Sequence, residues 1–360
     1  MPAHAAPPSA RQSNTVHLLG LATALPPHVL TQAEVVDRAR AILAPRFPQF
    51  DRLLPAFDNA GIEKRHSVVP MDWFPAPRGW VDRTEAYVAG ASDLFRAAAG
   101  RALDRAGLAA ADVDVIVTVS STGIATPTLE ARTALQMGFR PDVMRVPVFG
   151  LGCAGGVSGL ALAHDLAAAR PGAVVLMVAV ETCTLLFRMD RLQKADIIAT
   201  ALFGDGAAAA VLRAGGRDDR GPTLGQGAQH MWPQTLSIMG WKVEETGLGV
   251  VFDRSIPDFA RAELRAAVDR TAAALASGPI DRHVCHPGGA KVIEAIEDAL
   301  DLSPGALDAE RAVLNDAGNM SAPTVLFVLE RVLEAGVRGD LMLLALGPGF
   351  TLSMLPLRAA

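Results

Sequence analysis

Residues 149–156 read FGLGCAGG, between the apolar run RVPV and the helix-like stretch VSGLALAHDLAAA. A glycine turn between strand and helix can do two kinds of chemistry: its free N–H groups can cradle a pyrophosphate, or its bend can present a nucleophile. Gly150, Gly152 and Gly155 satisfy G-x-G-x-x-G. Glu181, at the end of the next apolar strand, stands where a nicotinamide-dependent oxidoreductase would place its ribose-binding acid. Cys153 occupies the same turn, where the positive end of a helix dipole favours a thiolate. The letters of the turn allow both chemistries.

Two more polar residues sit in comparable settings, each beside a glycine where an apolar element ends. His286 closes RHVCH ahead of Pro287, Gly288 and Gly289, and Asn319 lies in NDAGNMSA ahead of a helical pattern. Thiol, imidazole and carboxamide together can carry acyl transfer. The imidazole, as imidazolium, favours the thiolate, and imidazole and amide can donate to an oxygen that gains negative charge. Each also has a plainer reading: a small buried hydrophobe for the cysteine, a solvated turn residue for the histidine, a helix cap for the asparagine. Spacing does not choose between them.

The elements that must position these residues alternate between strand and helix. The fold is expected to begin near Val16, after an Ala-, Pro- and Ser-rich tail over residues 1–14. TQAEVVDRARAIL reads as a helix capped by Thr31, with Glu34 completing a capping box. Residues 47–83 read as loop and short helix, and Ala89 to Leu108 as a helix. VDVIVTVSS and AVVLMVAVE read as buried strands flanking the cysteine turn and its helix, and FGDGAAAAVLRA as a tight turn and strand. Gly221 to Pro257 reads as irregular. ARAELRAAVDRTAAALA, GAKVIEAIEDAL and APTVLFVLERVLEAG then read as helices, RHVCH as a short strand, and DLMLLALGPGFTLSMLPL as two strands joined by a Gly-Pro-Gly turn. The pattern predicts two related α/β halves, residues 15–215 and 216–360, with sheets covered by helices.

Composition sets the outer limits. In 360 residues half are apolar and a fifth charged, the net charge is −5 and no basic block occurs, which gives nucleic acid or an anionic membrane nothing to grip. Cys153, Cys183 and Cys285 fit neither a zinc site nor a disulfide framework, as expected of a chain in a reducing cytoplasm. VHLLGLATALPP follows Arg11, but its glycine and two prolines argue against a secretory signal, and no apolar run approaches the ~20 residues of a membrane span.

GLGCAGGVSGLALA, ALFGDGAAAAVL, HVCHPGGAKVIEAIE, LNDAGNMSAPTVLFVLE and LGPGFTL, in this order, resemble the type III polyketide synthases of the chalcone synthase family from about Val16 onward. Ketoacyl-carrier-protein synthase III shares the Cys, His, Asn set, but its histidine segment typically reads H-Q-A-N where this chain has HPGG. The resemblance implies a thiolase-like fold of two α/β halves and a turn that presents a nucleophile, with the G-x-G-x-x-G match a coincidence of small residues. It implies Cys153 as acyl acceptor, and His286 and Asn319 as partners in decarboxylation and condensation. Phe203 would be a gatekeeper between the active cavity and a coenzyme A tunnel. It further implies acyl-coenzyme A and malonyl-coenzyme A as substrates, with no metal or redox cofactor. Ser121, Cys183, Leu186, Ile238, Gly240 and Ser321 fall where members vary the cavity wall, and Thr126 where a side chain enters the partner subunit's cavity, hence a homodimer. Small or aliphatic residues at these positions point to a medium or long fatty acyl starter and an alkylpyrone or alkylresorcinol product. Two departures stand out: Ala345 and Leu346 replace the usual glycine and phenylalanine before Gly347-Pro348-Gly349, and of the basic positions for coenzyme A phosphates only Arg52 is kept, with Pro55 and Asn59 at the others.

Overall fold

The computed structural model describes residues 15–47, 49–191, 193–216, 219–275 and 277–359. The tail expected over residues 1–14 lies outside the described residues. Strand β1 (Val16–Ala24) opens the fold, followed by β2 (His28–Thr31), α1 (Gln32–Leu43), α2 (Leu54–Asp58), β3 (Lys64–Ser67), α3 (Trp80–Ala106), β4 (Val113–Val119), α4 (Leu129–Met137) and β5 (Met144–Val148). Next come α5 (Gly155–Ala169), β6 (Val174–Thr182), α6 (Lys194–Leu202), β7 (Asp205–Ala214), β8 (Thr223–Leu224), β9 (Ala228–Met231), β10 (Met239–Glu244) and β11 (Gly247–Phe252). The chain ends with α7 (Ile256–Ala274), β12 (Arg282–Cys285), α8 (Ala290–Leu300), α9 (Asp308–Ala317), α10 (Thr324–Glu334), β13 (Gly339–Gly347) and β14 (Thr351–Ala359).

Local chemistry explains most boundaries. Thr31 accepts from the Glu34 N–H while Glu34 accepts from the Thr31 N–H, which is the expected capping box. Helix α3 starts nine residues before Ala89, where the sequence reading began it, because the Asp82 carboxylate accepts from the Gly79 N–H and caps an earlier turn. Its alanines, Ala91, Ala98, Ala99 and Ala102, are fully buried. They let α3 approach β1 so closely that a Cβ on Gly20 would stand 2.3 Å from the Ala102 carbonyl oxygen. The stretch expected to be irregular, residues 221–257, holds four strands, and β3 lies in the stretch read as loop. These strands run only two to six residues, and glycine stands within β10 and β11, so any period is brief.

The two expected halves share one ten-stranded mixed sheet, ordered β12-β13-β14-β8-β1-β7-β6-β4-β5, with β9 added on β14. The join is β8, which pairs with β1 on one side and β14 on the other. Helices α5 and α10 form the centre. Val157, Leu160, Ala163, Val325, Val328 and Leu329 pack with Val115, Val117 and Met177 of the N-terminal strands and with Val284, Leu343 and Leu355 of the C-terminal ones. The outer strand faces are covered by α1 and α3 at the N-terminal end and by α7 and α8 at the C-terminal end. Only small residues let α5 run between two layers: a Cβ on Gly156 would stand 2.2 Å from the Ala322 carbonyl oxygen. Among the described residues no helix is long and apolar enough to cross a membrane.

Candidate active site

Strand β5 ends at Val148, and the chain makes one 3-10 turn over Gly152–Ala154 before α5 begins. Gly150 and Gly152 hold φ of 91° and 46°, the left-handed region that an L side chain resists. Space is short as well: a Cβ on Gly152 would stand 2.8 Å from Pro348 Cδ, and one on Gly347 2.6 Å from the Ala154 nitrogen. The Gly-Pro-Gly turn between β13 and β14 therefore seats directly on the cysteine turn. Here lies the answer to the two chemistries of FGLGCAGG. Gly152 and Gly155 serve close packing of protein on protein, and Gly150 serves the left-handed bend, so the turn's glycines are explained without a pyrophosphate.

Glu181 is likewise unavailable to a ribose. It is fully buried, and its carboxylate accepts from the Ser121 N–H at 2.9 Å and from Thr122 Oγ1 at 2.7 Å. Ser121 Oγ in turn accepts from the N–H groups of Gly150 at 3.1 Å and Gly152 at 3.3 Å. A buried carboxylate thus holds the serine that holds the cysteine turn. Burial pushes Glu181 up to about 7, with the hydroxyl and N–H donors acting in the other direction.

His286 follows β12, and its backbone N–H donates to the Leu344 carbonyl at 2.8 Å, tying it to β13. The ring is buried and neither Nδ1 nor Nε2 has a hydrogen-bond partner among the described residues. Asn319 follows α9, whose end is capped by Gly318 at φ 70°. Its backbone pairs with Phe203 as an isolated parallel bridge, with the Asn319 N–H donating to the Leu202 carbonyl at 2.8 Å. The side-chain amide is oriented without ambiguity. Oδ1 accepts from the Ser321 N–H at 2.8 Å, so the other atom is Nδ2, which donates to the Gly288 carbonyl at 3.1 Å.

These three residues meet. Cys153, His286 and Asn319 line one cavity of about 20 Å³ together with Met239, Phe252 and Leu346. Cys153 and Asn319 also line an adjoining cavity of similar size with Phe203, Gly240, Trp241 and Ser321. Burial pushes the Cys153 thiol up to about 11, opposed by the neighbouring Ser321 and Asn319 side chains, while the Glu181 charge acts in the same direction as burial. Burial also pushes the His286 imidazole down to about 3. The imidazolium expected from the sequence is therefore disfavoured as a lone charge, because the ring is buried and among the described residues no carboxylate compensates it. Proton transfer from thiol to imidazole would create both charges together. A chamber of this kind can hold an acyl group on sulfur and offer an amide N–H and an imidazole to an oxygen beside it.

The remaining expected residues are spread around this chamber. Phe203, packed edge-on against Trp241 with ring centroids 6.3 Å apart, belongs both to the chamber wall and to a second, apolar cavity that Cys183 and Leu186 also line. Gly240 and Ser321 lie on the chamber wall. Ser121 is fully buried beneath the cysteine turn, and Ile238 is half-buried in the C-terminal apolar cluster. Thr126 and Arg52 are exposed. Sequence reasoning missed the β10–β11 hairpin, which supplies Met239, Trp241, Val250 and Phe252 to the wall. Alternation in MGWKVE and GLGVVF around a two-residue turn was its only local signal.

Sequence models of the chalcone and stilbene synthases match residues 78–216 with their N-terminal domain and residues 223–360 with their C-terminal domain. The chain belongs to the chalcone and stilbene synthase family. It is thereby a type III polyketide synthase, an acyltransferase of the decarboxylative condensing kind. A 1,3,6,8-tetrahydroxynaphthalene synthase of Streptomyces peucetius subsp. caesius is 39% identical over 93% of this chain and 91% of its own. A phloroglucinol synthase of Pseudomonas fluorescens is 30% identical over 91% and 95%. Among solved structures, the tetrahydroxynaphthalene synthase of Streptomyces coelicolor, a bacterial type III polyketide synthase, matches with a TM-score of 0.89 and 32% identity, over 95% of this chain and 99% of that one. The family also decides against the carrier-protein synthase and oxidoreductase alternatives.

Proposed function

We propose that this synthase loads an acyl group from coenzyme A onto Cys153 and extends it with malonyl-coenzyme A. In loading, Cys153 sulfur attacks the thioester carbonyl, its proton passes to His286, and the coenzyme A thiolate leaves. Malonyl-coenzyme A then loses carbon dioxide, and His286 and Asn319 Nδ2 donate to the enolate oxygen. A fixed donor of this kind contributes roughly 3–4 kcal/mol to such a step. The enolate carbon attacks the acyl-cysteine, a carbon–carbon bond forms, and Cys153 sulfur is expelled ready for reloading. The observation that carries this reading is the convergence of Cys153, His286 and Asn319 on one chamber with the Asn319 amide held in a donating orientation.

For the starter we infer a medium or long fatty acyl group and an alkylpyrone or alkylresorcinol product. Support comes from the cavity beyond Phe203, where Leu30, Val35, Ala39, Ile42, Phe74 and Phe187 offer an aliphatic chain an apolar wall, each buried methylene contributing about 0.8 kcal/mol. A second reading, favoured by the relatives that make tetrahydroxynaphthalene and phloroglucinol, is a hydroxylated aromatic product with no alkyl chain. Incubation with malonyl-coenzyme A alone and with acetyl, hexanoyl, decanoyl and palmitoyl esters separates them by product mass. Products from malonyl-coenzyme A alone, with no gain from fatty esters, would sink the first reading.

Other assignments belong to the same proposal. Cys183, Leu186, Phe203, Gly240 and Ser321 shape the space for the chain, Arg52 meets coenzyme A phosphate, and residues 15–215 and 216–360 act as the two halves. A homodimer through the β5 edge places Thr126 at the interface. That edge leaves Phe149 60% and Ile124 51% exposed, more than a lone molecule gains from showing to water.

A further inference from the structure

The apolar cavity beyond Phe203 measures about 60 Å³, and Phe203 and Val250 belong to its wall as well as to the chamber's. Five polar side chains reach it, and four are accounted for. Arg38 pairs with Asp72 at 2.9 Å, and Asp196 with Arg191 at 3.1 Å. Thr184 Oγ1 donates to Asp205 at 2.7 Å, and Thr200 Oγ1 to the Asp196 carbonyl at 2.8 Å. Arg65 is the exception. It is 2% exposed, its Nη1 donates to the Thr200 carbonyl at 2.6 Å, and its Nε and Nη2 have no partner among the described residues. Among the described residues no carboxylate bears on it, and burial alone pushes the guanidinium down to about 9. A buried cation without a counter-charge is costly unless something it binds compensates.

Its position says what that could be. Arg65 Cβ lies 3.2 Å and 3.5 Å from where Cβ atoms on Gly204 and Gly318 would stand, next to Phe203 and Asn319. Arg65 thus lines the same cavity as Phe203, directly behind the residues that flank the chamber, while α1 supplies the aliphatic residues Val35, Ala39 and Ile42. A saturated acyl tail has nothing to offer a guanidinium. A chain extended by malonyl units has a ketone oxygen on every second carbon, and the free N–H groups of a planar fork suit such a pair of acceptors. We propose that Arg65 is a specificity-determining residue that binds ketone or enolate oxygens of the elongating chain as it passes Phe203. It thereby sets how far the chain grows and which carbonyl is presented for ring closure. This rests on the reading that Cys153 carries the chain.

The test uses a matched pair of substrates, hexanoyl-coenzyme A and 3-oxohexanoyl-coenzyme A, with the whole enzyme and its Arg65→Met and Arg65→Lys variants. The wild type should prefer the oxo ester by about tenfold or more in kcat/KM, the scale of a hydrogen bond to a charged donor. Arg65→Met should bring that ratio toward one and shift products to shorter chains, and Arg65→Lys should keep part of the preference. Arg65→Met removes an unpaired buried cation, so its melting temperature should hold or rise, whereas a structural role would lower it. An unchanged ratio and product profile in Arg65→Met would mean that only water sits on the guanidinium, and the proposal falls. If that variant does not fold, an unchanged ratio in Arg65→Lys overturns it equally. Should neither ester acylate Cys153 in the wild type by intact-protein mass spectrometry, the loading assignment fails first and the proposal with it.

Discussion

Replacing Asn319 by aspartate changes one atom in a fixed setting. Oδ1 can still accept from the Ser321 N–H at 2.8 Å, but the atom that donates to the Gly288 carbonyl at 3.1 Å becomes an acceptor facing an acceptor. The site is 1% exposed, so the lost hydrogen bond costs about 1–3 kcal/mol of stability. Decarboxylation loses a donor worth roughly 3–4 kcal/mol, a fall of several hundredfold. The new carboxyl is buried and faces a carbonyl, so its pKa is raised above the ordinary carboxylate range. A raised folded-state pKa gives stability that is complete at low pH and lost as pH rises through it. Once protonated, the carboxyl again has an O–H to donate. That single O–H can satisfy the Gly288 carbonyl but not an enolate oxygen as well. Asn319→Asp should therefore recover stability as pH falls toward 5 while decarboxylation stays slow, and Asn319→Ala should recover neither. Release of labelled carbon dioxide from malonyl-coenzyme A between pH 5 and 8, with thermal melts at the same pH values, measures both. Wild-type release by Asn319→Asp at pH 7.5, or the same pH trend in Asn319→Ala, would refute the donor role.

Three further outcomes are expected. Cys153→Ala should show no acyl adduct by intact-protein mass spectrometry and form no polyketide, and an adduct on Cys183 or Cys285 with product still made would displace the assignment. Gly156→Ala should lower stability by about 1–3 kcal/mol in chemical denaturation, since its Cβ would lie 2.2 Å from the Ala322 carbonyl oxygen and force α5 and α10 apart; an unchanged midpoint would show that the helices give way freely. Glu181 in the fold sits at about 7 against an ordinary 4.5, so its contribution is complete below about pH 4.5 and lost as pH rises through 7. Glu181→Gln, which cannot ionise, should lose less stability than the wild type between pH 5 and 8, and equal losses would contradict this.

Much of this molecule was legible from local chemistry. The Thr31–Glu34 capping box, the strand at residues 113–119, the helix after Cys153 and the Gly-Pro-Gly turn between β13 and β14 each depend on neighbours in sequence, and each stands where the residues place it. Cys153, His286 and Asn319 were recognisable as candidates because each lies beside a glycine at the end of an element. Their meeting was not legible, because it depends on the sheet joining β1 to β14 through the two residues of β8 and on α5 and α10 sharing a core. The same holds for Ser121, which resembled a cavity wall in sequence and in the fold holds the cysteine turn from below under the grip of Glu181. The chamber wall from the β10–β11 hairpin and the lone guanidinium of Arg65 gave almost no signal in the sequence. A side chain's charge and size are written in its own letter, but its burial, its partners and the pKa they impose are set by residues tens to hundreds of positions away, which only packing brings within reach.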